Sequence, residues 1–271
     1  MRVCMSIFFL EFPIDSQDPL CSLSLNQHVY GKKEIKEQLG KCTFQISPGA
    51  FFQVNTKTAE TLYSVVVEKV REVTTNPEET LCFDVCCGTG TIGLTLMKEG
   101  VVGRVVGVDI SAPAIDDARV NAELNGFPNT SDDSSKTRFV AGRAEHVLSQ
   151  ELKRIRGKKS EGEDEGDEPP ALQGKVVAVV DPARDGLHPD VVRNLRGFSQ
   201  IDRLVYVSCN PTGSLIKDAG LLCAPSSKRF KGRAFRPTFA QPVDMFPYSN
   251  HCELVMVFDR LTDEELGGQP E

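Results

Sequence analysis

The chain has 271 residues, 40% hydrophobic and 25% charged, with nine cysteines, four histidines and a formal charge of −7. That is enough for one large α/β domain or two small ones in a soluble globular protein. The odd cysteine count, without a CxxC pair, argues against a disulfide scaffold and a zinc site.

A reducing compartment fits that cysteine usage, so the cytosol or nucleus is expected, with a mitochondrial location left open. No apolar run approaches the roughly 18 residues needed to span a bilayer. Neither a membrane nor a metal is therefore expected, and a monomer is.

Residues 1–46 carry short β-like runs (SIFFLEF, CSLSLN, KCTFQI) and read as the remnant of a β region. The opening MRVCMSIFFLEFP reads as a strand and not a signal sequence, because Glu11 and Pro13 follow the apolar stretch at once. From Thr56, Leu62, Val66, Val70 and Val73 fall on one helical face. Strand-like runs then alternate with helical ones. The strands are 80–86, 104–110, 137–142, 176–183, 203–209 and 252–260; the helices lie near 91–99, 112–125, 143–156, 189–196 and 212–222. This alternation predicts βαβ units and a mostly parallel, doubly wound sheet over residues 47–261, with a polar tail at 262–271.

One segment breaks the pattern. SEGEDEGDEPP (160–170) holds six acids and no base, and without it the rest of the chain is nearly neutral. Residues 157–172 are therefore expected to be a disordered, dispensable insertion, and the total charge says little about partners.

The motif DVCCGTGTIG (84–93) sets Gly88, Gly90 and Gly93 between a strand and a helix, where glycines allow a sharp turn and close approach to a ligand. Asp109 ends the next strand, where an acid suits a ribose diol or, more plainly, caps a helix. Asp84 ahead of the loop is a poor neighbour for a pyrophosphate and a good one for a cation. The electrostatics thus favour S-adenosylmethionine, an ammonium and sulfonium ligand; a nicotinamide dinucleotide is the alternative on this motif.

LVYVSCNP (204–211) places Cys209 at the carboxyl end of a strand, the position where open α/β sheets bind ligands. By itself Cys209 reads first as a buried core thiol. Three further stretches weigh on that choice: ISPGAFFQVN (46–55), DPARDGLH (181–188) and PVDMFPYSNHCELV (242–255).

Together these stretches resemble the RNA uracil-C5 methyltransferase family, most nearly its eukaryotic members acting on tRNA. The motifs stand in the family's order from about residue 40 to 260. Ala183 and Ser249 replace a family proline and threonine, and Thr91 and Cys86 stand where many relatives carry asparagine and an aromatic. Family members carry more N-terminal sequence for RNA binding, so a shortened form is expected.

The resemblance implies a class I methyltransferase fold, Rossmann-like with an antiparallel last strand. It also implies S-adenosylmethionine as donor and 5-methyluridine in RNA as product; it points to the T-loop of tRNA, with ribosomal RNA the other substrate class. By position, Cys209 becomes the nucleophile and Glu253 the base, while Gln53, Cys86, Thr91, Asp109 and Asp181 hold the cofactor. Arg184 is expected to hold the uracil or a carboxylate, and His251 to order the site or cap the strand.

The chemistry needs these residue types. Carbon 5 of uracil is a weak nucleophile until a thiolate adds to carbon 6, and a base must then remove the carbon 5 proton so that the thiolate can leave. A second candidate region is SSKRFKGRAFRP (226–237), where Lys228, Arg229 and Lys231 alternate with aromatics as an RNA-binding segment or simply a solvated loop. The competing function is an RNA-binding or RNA-folding protein that keeps the domain without turnover.

Overall fold

The computed structural model describes residues 33–128, 135–155, 174–262 and 264–265. The β-like runs before residue 33, the acidic run at 160–170 and most of the polar tail lie outside these residues. A hairpin, β1 (Ile35–Leu39) and β2 (Cys42–Ile46), precedes α1 (Thr56–Arg71). There follow β3 (Leu81–Val85), α2 (Thr91–Lys98), β4 (Arg104–Asp109), α3 (Ala112–Leu124), β5 (Thr137–Ala141), α4 (Ala144–Ile155), β6 (Val176–Val180), α5 (Pro189–Gly197), β7 (Ile201–Ser208) and α6 (Ser214–Cys223). The last two strands are β8 (Phe235–Val243) and β9 (Glu253–Arg260).

The main sheet runs β5-β4-β3-β6-β7-β9-β8. Strands β3 to β7 run parallel to one another, and β9 is antiparallel to both β7 and β8. This is the expected doubly wound sheet with a reversed last strand. Both faces are covered, which is why the inner strands read as continuous apolar runs. Val205, Val207, Val255 and Val257 pack with α1, α2 and the hairpin in one core cluster. Leu204, Tyr206 and Phe258 pack with α5 and α6 in the other.

The hairpin is joined to the domain in an unusual way. Asp117, Asn121 and Asn125 recur every four residues and so share one face of α3. That face serves the open edge of β2 as a partner strand would. Asn125 accepts from Thr43 N (3.0 Å) and donates to its carbonyl (2.8 Å); Asn121 does the same for Gln45 (2.6 and 3.1 Å). Asp117 accepts from Ser47 N at 2.8 Å. Asn121 also donates to the carbonyl of Thr89, so the hairpin is tied directly to the glycine loop. This ladder fixes where residues 47–55 leave the hairpin, and thus where Gln53 arrives.

Strand β8 was not expected. Pro237 and Pro242 cannot donate to a ladder, which demotes such a run in a sequence reading. Here they sit on the outer edge of the sheet, where most of β8 is exposed and no further strand pairs with it among the described residues.

Candidate active site

A cavity of about 770 Å³ opens at the carboxyl ends of β3, β4, β6 and β7. The size suits a drug-sized ligand or a nucleoside. Its lining includes Gln53, Cys86, Thr91, Asp109, Asp181, Arg184, Cys209 and Glu253. Eight residues spread over 200 positions of sequence are thus brought to one wall system.

The glycine loop forms its floor. Gly88 and Gly90 take left-handed φ values of 53° and 80°, which glycine adopts without strain. A Cβ on Gly93 would lie 2.7 Å from Val105 and 2.9 Å from Asp84, so α2 can pack against the sheet only without one. Asp109 accepts from Gly88 N and Ser111 N, both at 2.8 Å. It therefore orders the loop and the start of α3 while keeping spare lone pairs on the cavity side.

Asp84 departs from the reading of it as a ligand neighbour. It is fully buried beneath the loop, does not line the cavity, and accepts from Gly93 N at 2.8 Å. Its influence on the cavity is as a field and not a contact. Burial pushes its carboxyl up to about 7, and it helps raise Asp181, which burial and Glu253 hold well above the usual carboxylate range.

Cys209 and Glu253 are placed by strand register. The β7–β9 ladder closes with Ser208 opposite Leu254, and one step beyond it Cys209 and Glu253 flank the same gap. Directly opposed residues of an antiparallel pair share a face, here the face that carries α1 and Gln53. Glu253 is 3% exposed and its Oε2 has no hydrogen-bond partner, so burial pushes it up to about 7, against a lowering pull from Arg184. The Cys209 thiol is raised by burial and by Glu253 and Asp181, with Arg184 opposing.

His251 stays outside the cavity lining. It is exposed on the β8–β9 turn, where its N–H donates to Ser249 Oγ at 3.2 Å. The basic loop lies elsewhere as well. Phe235, at its end, pairs with Arg260 beside the start of β7, at the far end of the strand from Cys209. Lys228, Arg229 and Lys231 are absent from the cavity lining. Two buried arginines hold that loop: Arg196 donates to Gly232 O (3.1 Å) and Arg260 to Arg233 O (3.0 Å).

Several cavity residues carried no signal in the sequence. Tyr63 is buried on α1 yet lines the cavity, and Phe51, Ile110, His188 and Phe246 complete its walls. Phe51, His188 and Phe246 stood inside the motifs, whereas Tyr63 and Ile110 did not.

Residues 23–260 match the family described as tRNA (Uracil-5-)-methyltransferase. The chain belongs to this family. Among its relatives, tRNA (uracil-5-)-methyltransferase homolog B of Danio rerio is 41% identical over 244 residues, covering 89% of this chain and 45% of the relative. Homolog A of Homo sapiens is 40% identical over 235 residues, covering 87% and 33%. The chain thus spans less than half the length of these curated relatives. A crystal structure of Pyrococcus abyssi tRNA (uracil-54, C5)-methyltransferase with S-adenosyl-L-homocysteine matches with a TM-score of 0.57 and 29% identity, over 84% of this chain and 44% of that one. The fold of the tRNA (uracil-5-)-methyltransferases is therefore the class I methyltransferase fold expected above.

A pH prediction follows from the site's carboxyls. Asp84 and Glu253 titrate near 7 in the folded chain and near 4 when unfolded. The folded state binds more protons between these values, so stability is highest below about pH 4 on this account and falls as pH rises through about 7. Thermal melts of Glu253→Gln should lose part of that decline; an unchanged pH dependence in that variant would remove Glu253 as a contributor.

Proposed function

We propose that this chain methylates carbon 5 of a uridine in RNA, with tRNA as the substrate class, using S-adenosylmethionine. The observation that carries the reading is that Cys209, one residue past the last β7–β9 pair, and Glu253, at the head of β9, line one cavity with Asp109 and Asp181. The residues fit the cofactor. Glycine-loop backbone and Asp109 suit its ribose, and a cavity with Asp181 and Glu253 on its wall and Asp84 beneath favours a cation. When bound, S-adenosylmethionine supplies an electrophilic methyl group.

In this reading Cys209 adds as thiolate to carbon 6 of uracil, which makes carbon 5 nucleophilic. Glu253 enters ionised and takes the carbon 5 proton after methylation, and the electron pair left behind expels Cys209. Its raised carboxyl is a more competent base than an exposed glutamate, since proton affinity rises with pKa. The target base must leave its stack to reach Cys209, which favours a loop nucleotide.

Two measurements test the reading. Titration calorimetry should show S-adenosylhomocysteine binding that weakens about tenfold or more in Asp109→Ala, the loss expected for about 1.4 kcal/mol of hydrogen bonding. Binding of NAD with none of S-adenosylhomocysteine would overturn the cofactor. Incubation with tRNA and labelled S-adenosylmethionine should then give 5-methyluridine; RNA binding without any methyl transfer would leave the non-catalytic function in its place.

A further inference from the structure

We propose that Asn210 and Asp218 are positioning residues for this reaction, locking the Asp181–His188 loop to the segment after Cys209 and so holding Arg184 on the wall it shares with Cys209 and Glu253. The inference rests on the function proposed above but can fail separately from it.

Asp218 is fully buried on α6. Its Oδ2 accepts from Leu187 N at 2.7 Å and from the Tyr206 hydroxyl at 2.8 Å. Tyr206 lies on β7, so a single oxygen joins α6, the strand that delivers Cys209 and the loop that carries Arg184. The loop lies directly on α6. Gly186 takes φ 79°, and a Cβ there would come within 2.5 Å of Asp218 Oδ2. Asp218 Oδ1 has no partner, which is costly for a buried carboxylate and has no use in a purely apolar core.

The second anchor is Asn210, next to Cys209. Its Nδ2 donates to the carbonyl of Arg184 at 3.1 Å. Its own N–H donates to Ser208 Oγ at 3.2 Å. Gly213 makes room for this amide, since a Cβ there would fall 2.5 Å from it. Anchors at residues 184 and 187 fix both the position and the direction of the loop, where one alone would leave a pivot.

Arg184 is the element of the site that most needs such fixing. The groups acting on the Cys209 thiol are Glu253 from β9 and Asp181 from the end of β6, which raise it, and Arg184, which lowers it. Arg184 likewise lowers Glu253. It does so without a carboxylate partner among the described residues, so its place depends on the backbone that carries it.

The test reads the thiol directly. Iodoacetamide alkylation of the Cys209 peptide, resolved by mass spectrometry over a range of pH, needs neither RNA nor cofactor. Arg184→Ala should slow alkylation near neutral pH by about threefold, because less of the thiol is then ionised. Asp218→Ala should slow it similarly, and the double variant no more than either alone, because both act through the same guanidinium. Asp218→Asn, which keeps an acceptor for both donors, should restore the wild-type profile. Asn210→Ala gives a smaller shift in the same direction and decides the matter if Asp218→Ala does not fold. An additive double variant overturns the inference, as does an unchanged Cys209 profile in Asn210→Ala and Asp218→Ala when Arg184→Ala shifts it. Methyl transfer, measured on the same variants, reports on the proposed reaction and not on the anchors. Coupled thiol profiles in a chain that never methylates RNA would keep the anchors and discard the reaction.

Discussion

Glu253→Gln should stop turnover with the RNA still joined to the protein. The glutamine is nearly isosteric and keeps Cys209 free to add to carbon 6, but it cannot take the carbon 5 proton. Elimination then has no driving step, and a denaturant-resistant protein–RNA species should accumulate while product release falls by on the order of 10²–10⁴-fold. Cys209→Ala should fail earlier, giving neither methylated RNA nor a covalent species. A denaturing gel with labelled tRNA and S-adenosylmethionine separates the two. Normal turnover by Glu253→Gln would exclude Glu253 as the base, and a covalent species formed by Cys209→Ala would return Cys209 to the core-thiol reading.

The largest effect on stability is expected far from the cavity. Arg260, 7% exposed, donates to the carbonyls of Leu195, Arg196, Phe198, Ile201 and Arg233 at 2.7–3.0 Å. Its guanidinium also lies 4.3 Å from the Phe235 ring centroid. No carboxylate pairs with it among the described residues, and burial lowers it to about 10. Arg260→Ala would leave these carbonyls buried without their donors, a loss of about 3–5 kcal/mol. The urea midpoint should fall by about 1 M or more. Arg260→Lys should not restore it, because a compact ammonium with three donors lacks the planar fork that spans several acceptors. A midpoint close to wild type would mean that water enters and hydrates the carbonyls. Arg236→Ala, on the exposed edge strand, serves as the control that should change little.

These two results also mark how far the sequence could be read. Elements with strong periodicity were legible: α1 begins at Thr56 as expected, and the parallel strands fall within a few residues of their apolar runs. That Cys209 and Glu253 share one cavity wall was legible from their motifs, and the antiparallel register shows why they meet. Arg260 was not, since an arginine ending a strand looks like a polar boundary until five carbonyls are seen around it. Asp117, Asn121 and Asn125 look like the wet side of a helix. Their spacing of four was visible, but nothing indicated a strand edge opposite. The basic run at 226–237 was legible only in part. Composition could reveal its charge but not its end of the sheet, which is fixed by two long-range arginine–carbonyl contacts. Asp84 was read as a ligand neighbour and does not line the cavity, because burial depth beneath a glycine loop is a tertiary property.

The pairing of β7 with β9 carries a consequence for how this domain tolerates change in length. Side chains alternate with a period of two, so one extra residue between Glu253 and Leu254 would turn the carboxyl toward the opposite layer while leaving the rest of the ladder intact. The turn between β8 and β9 lies outside the paired region, and its length can drift without altering that geometry. Single-residue insertions scanned along residues 244–256 should therefore divide sharply. Those in the exposed turn give folded chains with an aligned pair; one directly after Glu253 gives a chain that melts nearly as before but can no longer resolve a covalent adduct; those deeper in the strand also turn buried Val255 out of its layer and lower the melting point. Lineages could lengthen one side of Glu253 freely and the other scarcely at all.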